Sequence, residues 1–323
     1  MRKLKVLVII LFFASCTKIN SDKQLTVPEQ SISTLLQKRC ASYEVLQEQL
    51  KADPTLQQRM NQIEAFTSRY IQNQSAFRLL ADSSLEVPVV VNILYNKPSE
   101  NISDKQVASQ IEIMNKDFSG TNKDVNRTDT YNEVKAGDIK IKFVLKQTIR
   151  QFTNVTSFST NNAMKHSNRG GIDATDPATT LNMWVCTMSG GILGYAQFPG
   201  GNKATDGVVI LNTAFGEKGT TEAPYNLGRT ATHEIGHYFN LRHIWGDRQC
   251  GNDYVDDTPL HDTYNFGCPP AGHRSLCAGT TVEMTMNYMD YTDDPCMYMF
   301  TKGQALRMQA TYAAGGPRES LAQ

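Results

Sequence analysis

His233, Glu234, His237 and His243, in the run HEIGHYFNLRH, have the residue types and the spacing of a catalytic metal site. His233 and His237 are four residues apart, so on a helix both imidazoles project from one face, one turn apart, and reach a single tetrahedral Zn²⁺. Glu234 then lies beside the first ligand, placed to take a proton from a water that the ion activates. His243 follows His237 by six residues and cannot share that face if the helix continues. The helix must end near Asn240 and the chain must turn back. After glycine, asparagine is the residue best suited to the left-handed conformation that closes a helix. Three nitrogen ligands leave the fourth position open, as in catalytic rather than structural zinc sites. HExxH alone also occurs on solvated helices that bind nothing. Three of the chain's six histidines fall in this one run, which argues against chance.

A second segment, NYMDY at 287–291, looks like the Met-turn that lies beneath the zinc of metzincins. GRTATHEIGHYFNLRHIWGD, DDTP and NYMDYTDDPCMYMFTKGQ together resemble the pappalysin family of metzincin zinc metalloproteases, and within it the small prokaryotic members. The resemblance runs from about Val87 to about Tyr312 and is preceded by a family-like pro-segment. One departure lies inside the motif: Asn240 stands where the family usually has glycine. Asparagine tolerates a positive φ at modest cost, so a slightly strained turn and an intact site are expected.

The resemblance implies an endopeptidase with Glu234 as general base. Tyr291, two residues after Met289, matches a family tyrosine that swings between zinc and the oxyanion; the alternative is a packed aromatic bonded to backbone. Met289 is expected to pack under the ligands without being one. Small prokaryotic members bind calcium near DRQCGNDYVDDTP, and Asp253, Asp256 and Thr258 are the favoured Ca²⁺ ligands here. A solvated acidic loop also fits that segment, which has hard oxygen ligands, Asp247 and Asp257 among them, but no EF-hand pattern. The same relatives place an acid just after the Met-turn and prefer arginine after the scissile bond. Asp293 and Asp294 occupy that stretch, where a carboxylate would favour a cationic side chain. Ser68-Arg69 and Phe77-Arg78 then become candidate self-activation bonds.

With 323 residues, no formal net charge and a pI near 7.0, the chain offers no electrostatic case for binding nucleic acid or an anionic membrane. Hydrophobic content of 40% is that of a globular protein. Arg2, Lys3 and Lys5 precede VLVIILFFA, which is too short to span a bilayer but suits a secretory leader. FASC at 13–16 resembles a bacterial lipobox with Cys16 as the lipidated residue, although Phe13 replaces the usual leucine; an ordinary signal peptide is the alternative. Contact with a membrane is thus expected only through a lipid anchor. The expected state is an exported monomer acting on protein or peptide substrates.

Of seven cysteines, Cys250, Cys268, Cys277 and Cys296 follow the zinc motif closely. In an oxidising compartment they form two disulfides, for which sequence alone allows three pairings. A structural zinc site is the rival, but no CxxC spacing is present. The resemblance implies Cys250 with Cys277 and Cys268 with Cys296. Cys186 in LNMWVC reads as a small buried hydrophobe. Arg39-Cys40 resembles the cysteine-switch sequence of family zymogens, and a thiolate at Cys40 would fill the open zinc position. A helical accessory domain is the plainer reading of that region.

Three segments follow: 1–16 a leader, 17–86 a tether and helical propeptide, and 87–323 a catalytic domain, long enough for one buried core. Asp53-Pro54 breaks the helical stretch 36–72 in two. VPVVVNILY reads as a buried strand, MWVCTM and GVVIL as two more, and Ile139, Ile141, Phe143 and Leu145 as the inner face of another. Ser103 and Gln106 form a capping-box pattern before Val107, Ile111, Met114 and Phe118, which recur at helical spacing. The active-site helix is expected over Leu227 to Phe239 with Asn226 as N-cap, and a last helix from Thr301, capped with Gln304. GYAQFPG, by family analogy, is the edge strand that pairs with an extended substrate. The fold class is α/β (α+β) and metzincin-like. A twisted mixed sheet with backing and active-site helices forms the upper lobe, and an irregular disulfide-stapled lower lobe carries the C-terminal helix. Two other functions fit the same motif: an inactive zinc-bound module that binds peptides, and a zinc hydrolase of non-peptide substrates. The intact Glu234 argues against the first.

Overall fold

The computed structural model describes residues 39–73, 84–127 and 130–322. The leader with Cys16, the tether and the Phe77-Arg78 bond lie outside the described residues. Within them, a strand β1 (Arg39–Cys40) leads into helices α1 (Ser42–Ala52) and α2 (Leu56–Gln72), broken at Asp53-Pro54 as expected. There follow β2 (Leu85–Tyr95), α3 (Asp104–Ser119), β3 (Ile141–Phe152), β4 (Leu181–Cys186), β5 (Ile192–Ala196) and β6 (Val208–Leu211). The active-site helix α4 (Arg229–Tyr238) and the terminal helix α5 (Lys302–Tyr312) complete the set.

The strands form one sheet in the order β1-β5-β6-β4-β2-β3. All pairings are parallel except β5 with β6. The β-branched run of β2 sits mid-sheet: Val87, Val89, Val91 and Ile93 are fully buried with Leu181, Met183 and Val185 of β4, and Val107, Met114 and Phe118 of α3. Each such side chain contributes roughly 1.5–3 kcal/mol by leaving water. The same core takes in Ala231 and Ile235 of α4 and Met289, Phe300 and Met308 from below, so the two lobes close on one another around the active-site helix. Ile111 is only partly buried. Leu145 is 38% exposed, against its expected inward place. A bulge in the β2–β3 ladder next to its partner Val89 breaks the alternation there.

Helix ends show where local sequence rules held. Thr301 and Gln304 exchange both bonds of a capping box. Ser103 accepts the Gln106 amide, but the Gln106 side chain crosses to the Phe215 carbonyl at 2.9 Å instead of closing the box. Asn226 does not cap α4. Gly228 precedes the helix with φ 73°, and no side chain of its own caps it. Asp294, from beyond the Met-turn, accepts the Leu227 amide at 2.7 Å and the Arg229 amide at 3.3 Å. A carboxylate there satisfies end-of-helix donors and faces the positive end of the helix dipole, so a distant residue outcompetes the neighbouring asparagine. Arg229 forms a buried ion pair with Asp117 of α3 and donates to the Tyr288 hydroxyl at 2.7 Å. Thr232 donates to Asp117 at 2.6 Å. The network fixes α4 against α3 and the Met-turn. In the irregular lower lobe, disulfides join Cys250 to Cys277 and Cys268 to Cys296. Cys186 is buried.

Candidate active site

Helix α4 stops one residue after His237, at Tyr238. Asn240 has φ 71°, and the Leu241 amide donates back to the Gly236 carbonyl at 2.9 Å, the 6→1 bond of a left-handed helix cap. This reversal brings His243 to the other two ligands. The His237 Nε2 lies 3.2 Å from that of His233 and 3.1 Å from that of His243. Every Nδ1 is committed elsewhere: His233 to the Tyr288 carbonyl at 2.6 Å, His237 to the Leu241 carbonyl at 2.8 Å, His243 to Asp247 Oδ1 at 2.5 Å. These acceptors place each ring proton on Nδ1 and leave three Nε2 lone pairs facing one point. Burial holds all three imidazoles neutral, with His233 lowered to about 3 and His237 and His243 well below their usual range. Three buried, unprotonated nitrogens at contact distance fit a cation between them, and the donor set is that of zinc. Trp245 stacks on the His243 ring at 4.3 Å and 8°.

Cys40 completes the group, its Sγ lying with the three ligand nitrogens inside a 4.8 Å cluster. β1 carries it there by adding to the free edge of β5, opposite Gly194. Any side chain at Gly194 would come within 3.1 Å of Glu234. Glu234 is fully buried, and burial raises its carboxyl to about 8 despite hydrogen bonds from Ser42 and Cys40. Its Oε2 accepts from Ser42 Oγ at 2.7 Å and from the Cys40 thiol at 3.4 Å, while Oε1 has no partner among the described residues. An orphan carboxylate oxygen beside three lone pairs suits a water held by the ion. Tyr291 donates to the Cys40 carbonyl at 3.0 Å. Met289 lies beneath α4 against Gly236, where an added Cβ would strike its sulfur.

Beside the ligands a small pocket is lined by Leu193, Tyr225, Thr230, His233, Thr292 and Asp294. Asp294 lines this pocket while its carboxylate also accepts the amides at the start of α4. Asp293 is only partly buried, and burial raises its carboxyl. Of the acidic loop, Asp253 and Thr258 meet at 2.9 Å, Asp256 is exposed and Asp257 accepts the Gly303 amide at 2.8 Å. Asp247 is not part of that group at all; it orients His243. Sequence reading also missed Ser42, whose only signal was its place two residues after Cys40.

A helix bearing two of three converging imidazoles, a carboxylate base and a Met-turn underneath defines a metzincin zinc metalloendopeptidase. The family model for peptidase M43, pregnancy-associated plasma protein-A, matches residues 173–313. Extracellular metalloprotease 1 of Coccidioides posadasii is 33% identical over 254 residues, 75% of this chain and 82% of that protein. Mature mirolysin of Tannerella forsythia, solved in complex with a cleaved peptide, is 42% identical with a TM-score of 0.72 over 75% of this chain and 96% of that one. A promirolysin mutant from the same organism is 38% identical with a TM-score of 0.79 over 88% of this chain and 97% of its own. The chain belongs to the M43 (pappalysin) family of zinc peptidases.

A carboxylate on the outer nitrogen fixes a ligating histidine's tautomer and raises its basicity. Asp247→Asn is therefore expected to weaken zinc affinity about 10–100-fold, read by competition with a chelator of known affinity; unchanged affinity would deny Asp247 that role.

Proposed function

We propose that this metalloendopeptidase is exported as a latent precursor and matures by cutting its own N-terminal segment. The observation that carries the reading is Cys40: a two-residue strand on the substrate-binding edge of the sheet delivers its thiol to the three histidines. Zinc, when bound, supplies Lewis acidity for a water and for the scissile carbonyl. The residues of the chain do the rest. An extended substrate pairs with β5 where β1 lies in the precursor. Glu234 takes the proton of the attacking water and passes it to the leaving amine, a role its raised pKa suits. Tyr291 donates to the oxygen that gains charge, as it already donates to the Cys40 carbonyl in the precursor. Glu234 argues against an inactive peptide-binding module.

Latency has a second element in Ser42, fully buried. Its hydroxyl donates to Glu234 and accepts the β5 amide of Ala196 at 2.8 Å, so it engages the base and a main-chain donor of the cleft together. The activation cut falls outside α2. Ser68-Arg69 lies within that helix, where main-chain groups are already paired and cannot extend along β5. Phe77-Arg78 is the better site, with Asp293 and Asp294 favouring arginine after the scissile bond. Calcium binds at Asp253 and Thr258 of the lower lobe, with Asp256 as a further ligand. Cys16, at the end of the lipobox-like FASC at 13–16, bears a lipid that holds the protein at the cell envelope.

Residues 17–323 incubated with zinc are expected to lose a piece ending at Phe77, seen by intact mass and N-terminal sequencing, and chelator or Glu234→Ala should stop it. Cys40→Ala should mature faster than the parent, and Ser42→Ala about tenfold faster, the loss of one buried hydrogen bond to the base. A Glu234→Ala preparation that matures at the parent rate would sink self-processing. Millimolar calcium should raise the melting temperature of the parent and not of Asp253→Asn; equal shifts would remove the calcium site. Fatty-acid labelling in the native host should vanish in Cys16→Ser, and labelling that persists would exclude that anchor.

A further inference from the structure

The cleft follows β5, and the two ends of that strand meet opposite charges. Near Leu193 stands the Asp294 carboxylate. Past Ala196 the chain reaches Phe198, whose ring approaches His237 at 5.2 Å and lies under the Arg242 guanidinium, 4.6 Å from the ring centroid. Such a placement is a cation–π contact. Among the described residues no ion pair holds Arg242; the charges that act on it are Asp247, Arg307 and Glu64. Arg307, on α5, is 2% exposed. Its carboxylate partner is Glu64 of α2, through two parallel bonds of 2.9 and 2.7 Å. Its remaining hydrogen bond is to the Tyr254 carbonyl at 3.1 Å, its guanidinium lies over the Tyr254 ring, and its Nε has no hydrogen-bond partner among the described residues. Arg307 thus holds that carboxylate directly, while Arg242 feels its charge without an ion pair to it, and the carboxylate belongs to the segment that the proposed maturation removes. Phe198 meanwhile packs on Leu46, Leu56 and Met60 of the same segment.

We propose that the Phe198 end of the cleft is a carboxylate-reading subsite, in which Arg242 and Arg307 of the mature enzyme take an acidic side chain of the substrate where Glu64 sits in the precursor. The inference rests on the peptide-cleavage reading and names its substrate class: an extended segment with an apolar and an acidic residue on one side of the scissile bond and a basic residue on the other. The pairing of Arg307 is bidentate and planar, the geometry that selects a carboxylate over an amide. Removing the segment takes away both Glu64 and the cover that its helix gives Arg307, so the guanidinium fork is left without its carboxylate and open to another. With arginine following the bond at the Asp294 end, the acidic residue lies N-terminal to the bond.

The test uses mature enzyme obtained by self-processing and separated from the released segment. Peptides with arginine after the bond carry Glu or its isostere Gln, scanned through each position on both sides, and kcat/KM is measured at low salt. Glu should exceed Gln about tenfold at one position N-terminal to the bond, and the preference should shrink as salt rises. Arg242→Gln should lower the Glu to Gln ratio, and Arg307→Lys, which keeps the charge but not the planar fork, should lower it further; an unchanged melting temperature checks that each variant folds. Equal rates for Glu and Gln everywhere, or a Glu preference that neither substitution lowers, overturns the subsite and leaves the peptidase standing. No cleavage of any peptide would sink the peptidase reading and the subsite with it.

Discussion

Everything in the site depends on three imidazole lone pairs forced to face one another. Neutral nitrogens at 3.1–3.2 Å with no proton between them repel, and the fold holds them there by committing every other ring nitrogen to a fixed acceptor. Those acceptors come from three places: the Met-turn backbone at Tyr288, the helix-ending loop at Leu241, and a side chain at Asp247. The site is thus over-determined before any ion arrives, which is what preorganisation requires. The left-handed Asn240 is the hinge of this arrangement. Without the reversal there, His243 would continue up the helix and away from the others.

The lower lobe, poor in regular structure, performs the same service by other means. Asn265 donates to Glu283 at 2.7 Å and to Asp290 at 2.9 Å, and Asp290 accepts the Tyr291 amide at 2.8 Å. The loop held by the disulfides is thereby joined to the residue after Met289. Asp294 sends its carboxylate up to the start of α4. The lower lobe therefore meets the start of the active-site helix through the Asp294 side chain, and Met289 packs against Gly236 further along it.

How much of this the sequence disclosed varies with range. The ligands, the base, the turn at Asn240, the capping box at Thr301 and the main strands follow from local spacing, because each is decided by residues within a few positions. The disulfide pairing was not derivable from four cysteines and came only with the family likeness. What stayed hidden depends on contacts between residues far apart in the chain. Ser42 reaches Glu234 across the precursor interface. Asp294 displaces Asn226 as the cap of α4, and Asp247 looked like one more acid in an acidic loop. Leu145 fits the alternating pattern perfectly well and is exposed, because a bulge in the ladder beside it has no signature in an alternating run.

The strand that brings Cys40 to the histidines is only Arg39–Cys40, flanked by two main-chain bonds, from Arg39 to Gly191 and from Ala41 to Gly194. So short a strand is weak as a ligand in its own right; it holds the cleft because α1 and α2 pack on Phe198 and pair Glu64 with Arg307, and because the chain tethers them there. Tethering gives a segment an effective concentration on the order of millimolar. In the maturation proposed above, the cut between α2 and β2 makes the same segment a separate molecule competing at its own, far lower concentration. Latency then passes from a property of each molecule to a property of the solution: a freshly cut population at high density inhibits itself, and dilution into the surroundings completes what the cut began.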